Sequence, residues 1–118
     1  MSTYDIGRMY PQESALITPL AAAKTDEPLA TAKPGRRITV DHIQFSADGI
    51  CTFKLNSKGA SAGTQISPTY YVGANAGVGM DLCKIQTKKG EGLSFTTTIA
   101  TTANYSGYVL FHYSPESL

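Results

Sequence analysis

The sequence contains no tryptophan, and only 16% of its residues are charged. Lys and Arg total 10 against 9 Asp and Glu, a formal charge of +1, so no field of one sign draws a polyanion to the molecule. That disfavours a dedicated nucleic-acid binder, and the interleaving of basic and aromatic residues that makes a single-strand platform is missing too. The two cysteines, Cys51 and Cys83, form no Cys-x-x-Cys pair and no other spacing of a zinc or redox site. They read as buried thiols of a cytosolically made protein. The N-terminus lacks the basic start and apolar run of a secretory signal, so no export is expected. The longest weakly polar stretch, residues 16–24, is interrupted by Thr18 and Pro19 and is too short to span a bilayer, which predicts a soluble protein with no membrane partner.

What is present is hydroxylated and turn-rich: Ser and Thr number 24, Gly 11 and Tyr 7 in 118 residues. This is the composition of a β-rich domain with polar outer faces, and the length suits one domain with a real core. From residue 36 onward, short alternating runs are separated by Gly, Asn and Asp clusters, the pattern of an antiparallel all-β domain. Residues 37–42 alternate with period two, but Ile43 and Phe45 continue in the opposite phase, which predicts a β-bulge near Asp41. Asp48-Gly49 predicts a hairpin turn into a strand over 50–55 with Cys51, Phe53 and Leu55 on one face. A loop is expected over 56–65, then a strand over 66–72 that Pro68 confines to an edge or a strand start. Residues 73–79 read as a glycine-rich loop leading into a strand over 80–86. After a turn over 88–92, Leu93, Phe95, Thr97 and Ile99 alternate cleanly. A last strand over 107–113 is apolar on both faces, so it is expected in the middle of a sheet or at a subunit interface. With a strand over 29–32, the total is seven or eight, in a sandwich of jelly-roll type.

The first 25 residues have no sustained period yet carry Tyr4, Ile6, Met9, Tyr10, Leu16, Ile17 and Leu20. The chain therefore divides into an N-terminal arm over 1–25 and a sandwich over 26–118. The arm either folds back over its own sandwich or lies on a neighbouring molecule, since exposed apolar side chains need a cover.

No catalytic constellation is apparent. His42 and His112 both fall in expected strands, and Asp41 beside His42 should point to the opposite face, which weakens that couple as part of a triad. No Gly-x-Ser-x-Gly elbow is present. His42, His112, Cys51 and Cys83 are the right types for zinc but fall in different strands, so no metal and no cofactor is expected. The glycines of 73–79 lack the Gly-Lys-Ser/Thr end of a phosphate loop. The basic groups Lys33, Arg36, Arg37 and Lys84, Lys88, Lys89 suit solvated strand ends or an acidic partner. Among the tyrosines, Tyr70, Tyr71, Tyr105, Tyr108 and Tyr113 suit a stacking patch, a protein interface or the edge of the core.

From Arg37 to Tyr113 the order of elements resembles small bacteriophage virion proteins, the head decoration (cement) and related structural β-sandwich proteins. The resemblance rests on Gly35-Arg36-Arg37-Ile38-Thr39-Val40, Phe45-Ser46-Ala47-Asp48-Gly49, Phe53-Lys54-Leu55, Tyr70-Tyr71-Val72-Gly73-Ala74-Asn75-Ala76-Gly77-Val78, Gly90-Glu91-Gly92-Leu93 and Ser106-Gly107-Tyr108-Val109. It implies a non-enzymatic jelly roll, often a homotrimer, on the exterior of a virion capsid and bound to the major capsid protein. The arm residues Tyr4, Ile6, Arg8, Met9 and Tyr10 would then add contact area. The competing expectation is a receptor- or carbohydrate-binding module of a tail fibre, using a surface patch of Tyr70 and Tyr71 with the loop at 73–79.

Overall fold

A computed structural model describes residues 11–20, 22–73, 75–99 and 103–115. They form β1 (Glu13–Leu20), β2 (Lys24–Ala30), β3 (Arg36–Ala47), β4 (Cys51–Lys58), β5 (Thr64–Gln65), β6 (Tyr70–Val72), β7 (Ala76–Gln86), β8 (Gly92–Ile99) and β9 (Tyr105–Pro115). One antiparallel sheet has the order β1-β9-β3-β7; the other has β2-β8-β4-β5, with β6 also pairing β4. With the short β5 and β6 taken as one interrupted strand, this is the strand order of a jelly roll, the all-β antiparallel sandwich that the sequence predicts.

Alternation builds the core. Cys51, Phe53 and Leu55 of β4 and Leu93, Phe95 and Thr97 of β8 turn inward and are buried. They meet Ile38, Val40, Ile43 and Phe45 of β3 and Val109 and Phe111 of β9. Phe45 and Phe53 stack across the two sheets with ring centroids 4.4 Å apart. Tyr105, 1% exposed, keeps its hydroxyl satisfied: Thr97 Oγ1 donates to it at 3.1 Å, and it donates to the Ala22 carbonyl at 2.7 Å. As expected of a strand apolar on both faces, β9 is central, between β1 and β3.

The bulge lies where the phase slip puts it. Val40 pairs with Phe111 and His42 with Leu110, leaving Asp41 as the extra residue of β3. Val40 and Ile43 both point inward, so the two residues between them share the outer face.

Several local expectations change, among them the strand expected over 66–72, which is β6 over Tyr70–Val72 only, and the strand expected over 29–32, which is β2 over Lys24–Ala30. Asp48-Gly49 makes no hairpin: β3 and β4 belong to different sheets, and neither residue has positive φ. The dipeptide carries the chain across the sandwich, and Gly49 is needed because a Cβ there would sit 2.8 Å from Ala103 Cβ. The expected loop at 56–65 starts later, since β4 runs to Lys58 with Asn56 and Ser57 buried. Their polar atoms are partnered by Asp26 and Thr96 and by Glu91 and Lys88. The loop at 73–79 is shorter, because residues 76–79 pair with Gln44–Ala47 of β3 and are strand. Tertiary pairing here overrides the poor strand propensity of glycine. Finally, residues 13–20 of the expected arm form β1, paired with β9, with Ile17 buried. Of the two readings of the arm, this part follows packing on its own sandwich. Pro19 and a register shift between Ile17 and Leu20 hide its periodicity. β2 begins at Lys24, inside the expected 1–25 boundary. Residues 1–10 lie outside the described residues.

Candidate functional site on the outer face of the β1-β9-β3-β7 sheet

The register sets the outer face of this sheet in rows. Leu16 of β1 lies opposite Tyr108 of β9, Tyr108 opposite Gln44 of β3, and Gln44 opposite Gly79 of β7. One row toward the Arg36 end, Leu110 faces His42; one row the other way, Ser106 faces Ser46, which faces Gly77. Leu16 is 71% exposed and Tyr108 37%. The Tyr108 ring stacks on His42, with centroids 5.6 Å apart and planes inclined by 25°.

At the Arg36 end the bulge brings two groups into contact. His112 Nδ1 lies 2.9 Å from Asp41 Oδ2, and Gln12 Nε2 donates to the same oxygen at 3.3 Å. The expectation that Asp41 and His42 occupy opposite faces is therefore corrected by the bulge: both are on the outer face, and the histidine that Asp41 holds is His112. Thr39 and Ser114, beside this pair, bond each other at 3.1 Å. The Gln12–Asp41–His112 chain ties the start of β1 to β3 and β9. Among the described residues, no three His, Cys, Asp or Glu side chains are grouped to hold a metal ion.

At the opposite end of the same face is a shallow depression of about 280 Å³, lined by Ser46, Ala47, Asp48, Asn104, Tyr105 and Ser106. Its rim is a closed loop of hydrogen bonds. Asp48 Oδ1 accepts from the Asn104 backbone N–H at 2.7 Å, Oδ2 lies 3.4 Å from Asn104 Nδ2, and the Asp48 N–H donates to the Asn104 carbonyl at 3.0 Å. These contacts hold the carboxylate at the mouth of the depression.

No protein-family model and no curated protein matches the chain. Solved structures similar to it include the tobacco streak virus coat protein, at 12% identity and a TM-score of 0.48 over 92% of this chain and 89% of that one. A cyanophage Pam1 capsid chain is similar at 14% identity and a TM-score of 0.49, covering 88% and 84%. The nucleoplasmin-like N-terminal domain of Drosophila FKBP39 is similar at 15% identity and a TM-score of 0.47, covering 90% and 92%. The jelly roll itself stands on the strand order of this chain.

Of the residues expected to form a site, Tyr4, Ile6, Arg8, Met9 and Tyr10 lie outside the described residues. Tyr70 and Tyr71 do not form one patch. Tyr71 is 82% exposed, whereas Tyr70 turns inward and stacks on Phe53 at 6.3 Å. Neighbouring residues of one strand must diverge in this way. Tyr105 is core, and burial pushes its hydroxyl above the usual range. Tyr113 donates to the Thr31 carbonyl at 2.6 Å, lies under Lys33 Nζ at 4.1 Å, and is raised by burial as well. Only Tyr108 of the five reaches the outer face described here. Ser46, Asp48, Asn104 and Ser106 carry no local motif. The turn residues at 48 and 104 are visible in the sequence, but their meeting depends on the pairing of β3 with β9.

Proposed function

We propose that this protein is a non-enzymatic structural component of a bacteriophage virion: a homotrimeric decoration protein that binds the major capsid protein on the capsid exterior. The observation that carries the reading is the position of β1. The strand that follows residues 1–10 lies at the free edge of the β1-β9-β3-β7 sheet, with Leu16 71% exposed beside it. A rigid sandwich thus presents Leu16 on the edge strand into which the segment bearing Tyr4, Ile6, Arg8, Met9 and Tyr10 leads. Three copies would multiply modest single contacts into firm attachment.

Removing residues 2–10, and not β1, is the test. Purified virions of the source phage should carry the full-length protein and lose it in the truncated form, while the truncated protein keeps the same dispersed amide spectrum. Light scattering of the free protein should give three times 12.6 kDa. Absence from virions, or undiminished attachment of the truncated form, defeats the reading.

A further inference from the structure

Three groups on the outer face converge on a ligand site that the decoration role does not use. The first is the depression between Asp48 and Asn104, floored by Ser46 and Ser106 in directly opposed positions of β3 and β9. The second is the strip beside it: Ser46 pairs with Gly77 of β7, so the row Ser106, Ser46, Gly77 carries only small side chains across three strands. Three strands place about 10 Å of low, flat surface there. The third is Tyr108. His42 occupies the row on one side of it and covers one ring face, whereas Ser106 occupies the row on the other side. Tyr108, 37% exposed, therefore stands between His42 and the shelf.

We propose that this shelf is a binding site for a neutral saccharide, with one sugar ring against Tyr108 and its hydroxyls bonded to Asp48, Asn104, Ser46 and Ser106. The chemistry selects the class. Asp48 is the only charged residue of the lining, and a carboxylate repels phosphates, sulfated or carboxylated sugars and nucleic acid, while accepting hydrogen bonds from hydroxyl donors. Two serine hydroxyls and an amide supply both donors and acceptors, as a polyhydroxylated ligand requires. A flat floor beside an aromatic ring admits a pyranose, whereas a peptide side chain would need a deeper pocket. Six residues of β9, about 20 Å, separate Ser106 from His112, next to which the chain enters β1. The site thus lies away from the point where the chain enters β1, although Leu16 of that edge strand is opposite Tyr108, and sugar binding by the free protein does not depend on the shell contact.

The experiment is an amide-shift titration of the full chain with neutral gluco-, xylo-, manno- and galacto-oligosaccharides, and with dextran sulfate as the anionic comparison. At least one neutral sugar should bind with a dissociation constant of about 1 mM or tighter, with shifts centred on residues 46–48 and 104–108. Tyr108→Ala should weaken it about ten-fold and Asp48→Ala at least as much, with Tyr71→Ala unchanged. Asp48→Ala opens the Asn104 contacts, so Ser46→Ala, with half or less of the affinity, is the variant that leaves the loop intact. No shifts with any neutral sugar, preference for dextran sulfate, shifts centred on Tyr71, or wild-type binding by Tyr108→Ala would each overturn the proposal.

Discussion

Asp41 and His112 lie 2.9 Å apart across β3 and β9 because one extra residue in β3 turns Asp41 outward beside His42. The contact and the bulge have different energetic weights. Both side chains are about a quarter exposed, so the pair itself is worth at most about 1 kcal/mol. The bulge, in contrast, absorbs one extra residue, so that Val40 and Ile43 both stay inward and keep consecutive partners on β9. Asp41→Asn should therefore lower unfolding stability in urea by less than about 1 kcal/mol. Deleting Asp41 removes only the extra residue and leaves Val40, His42 and Ile43 in unbroken alternation opposite Phe111, Leu110 and Val109, so the folded spectrum should persist. A deletion variant that loses native dispersion would show that the fold requires the bulge itself.

This bulge was legible in the sequence, since the phase of alternation changes between Val40 and Ile43. Its consequence was not, because which residue of β9 comes opposite is a matter of long-range pairing. The same division runs through the rest of the chain. Cys51, Phe53, Leu55, Leu93 and Phe95 declare their inward face by local alternation. β1 and the start of β7 do not, because Pro19 and the glycines at 77 and 79 spoil the local signal, and pairing with β9 and β3 supplies the order. The depression at Asp48 is the extreme case. Its two walls are 56 residues apart and share no motif.

Asp26 has a φ of 50° yet is not glycine. Its carboxylate accepts from Asn56 Nδ2 at 2.9 Å and from the Gly63 N–H at 3.0 Å, and its own N–H donates to Thr96 Oγ1 at 3.1 Å. The hub offsets the backbone strain of about 1 kcal/mol. Asp26→Ala loses the acceptors and keeps the strain, which should cost about 1–3 kcal/mol in denaturant unfolding. Asp26→Gly loses the acceptors but relieves the strain, so it should be the more stable of the two. The reverse order would mean that the left-handed backbone is not strained there.

Burial raises the Cys51 thiol above its usual 9.0, and burial, the leading cause, raises the hydroxyls of Tyr105 and Tyr113 above their usual 10.0. In each case the unfolded chain loses its proton first as pH rises. These groups contribute stability that is fully present below the usual values and is lost as pH climbs through the raised ones. The urea midpoint should therefore be insensitive to these three groups below about pH 8 and fall steadily between about pH 9 and pH 11. Tyr105→Phe should flatten that alkaline fall while losing about 1–3 kcal/mol at neutral pH, because the Ala22 carbonyl loses its donor and the Thr97 hydroxyl loses its acceptor while still accepting from the Lys24 N–H. An equally steep fall in the variant would place the alkaline sensitivity elsewhere.

Gly107 lies where β9 presses most closely on β3. A Cβ at this position would run into the Gln44 carbonyl oxygen and come within 2.9 Å of Phe45 Cα, and both neighbours are backbone that cannot rotate away. Relief would require β9 to move off β3, taking Val109 and Tyr105 out of the core that also holds Phe45. Gly107→Ala should then cost more than the roughly 1–3 kcal/mol usual for overpacking, a large share of the about 5–15 kcal/mol by which a domain is stable. Gly73→Ala, at a position with open space around it, is the matched control and should stay within about 0.5 kcal/mol of the parent in thermal and urea unfolding. Comparable stability of the two variants would mean that β9 and β3 are less closely apposed than the 2.9 Å approach requires.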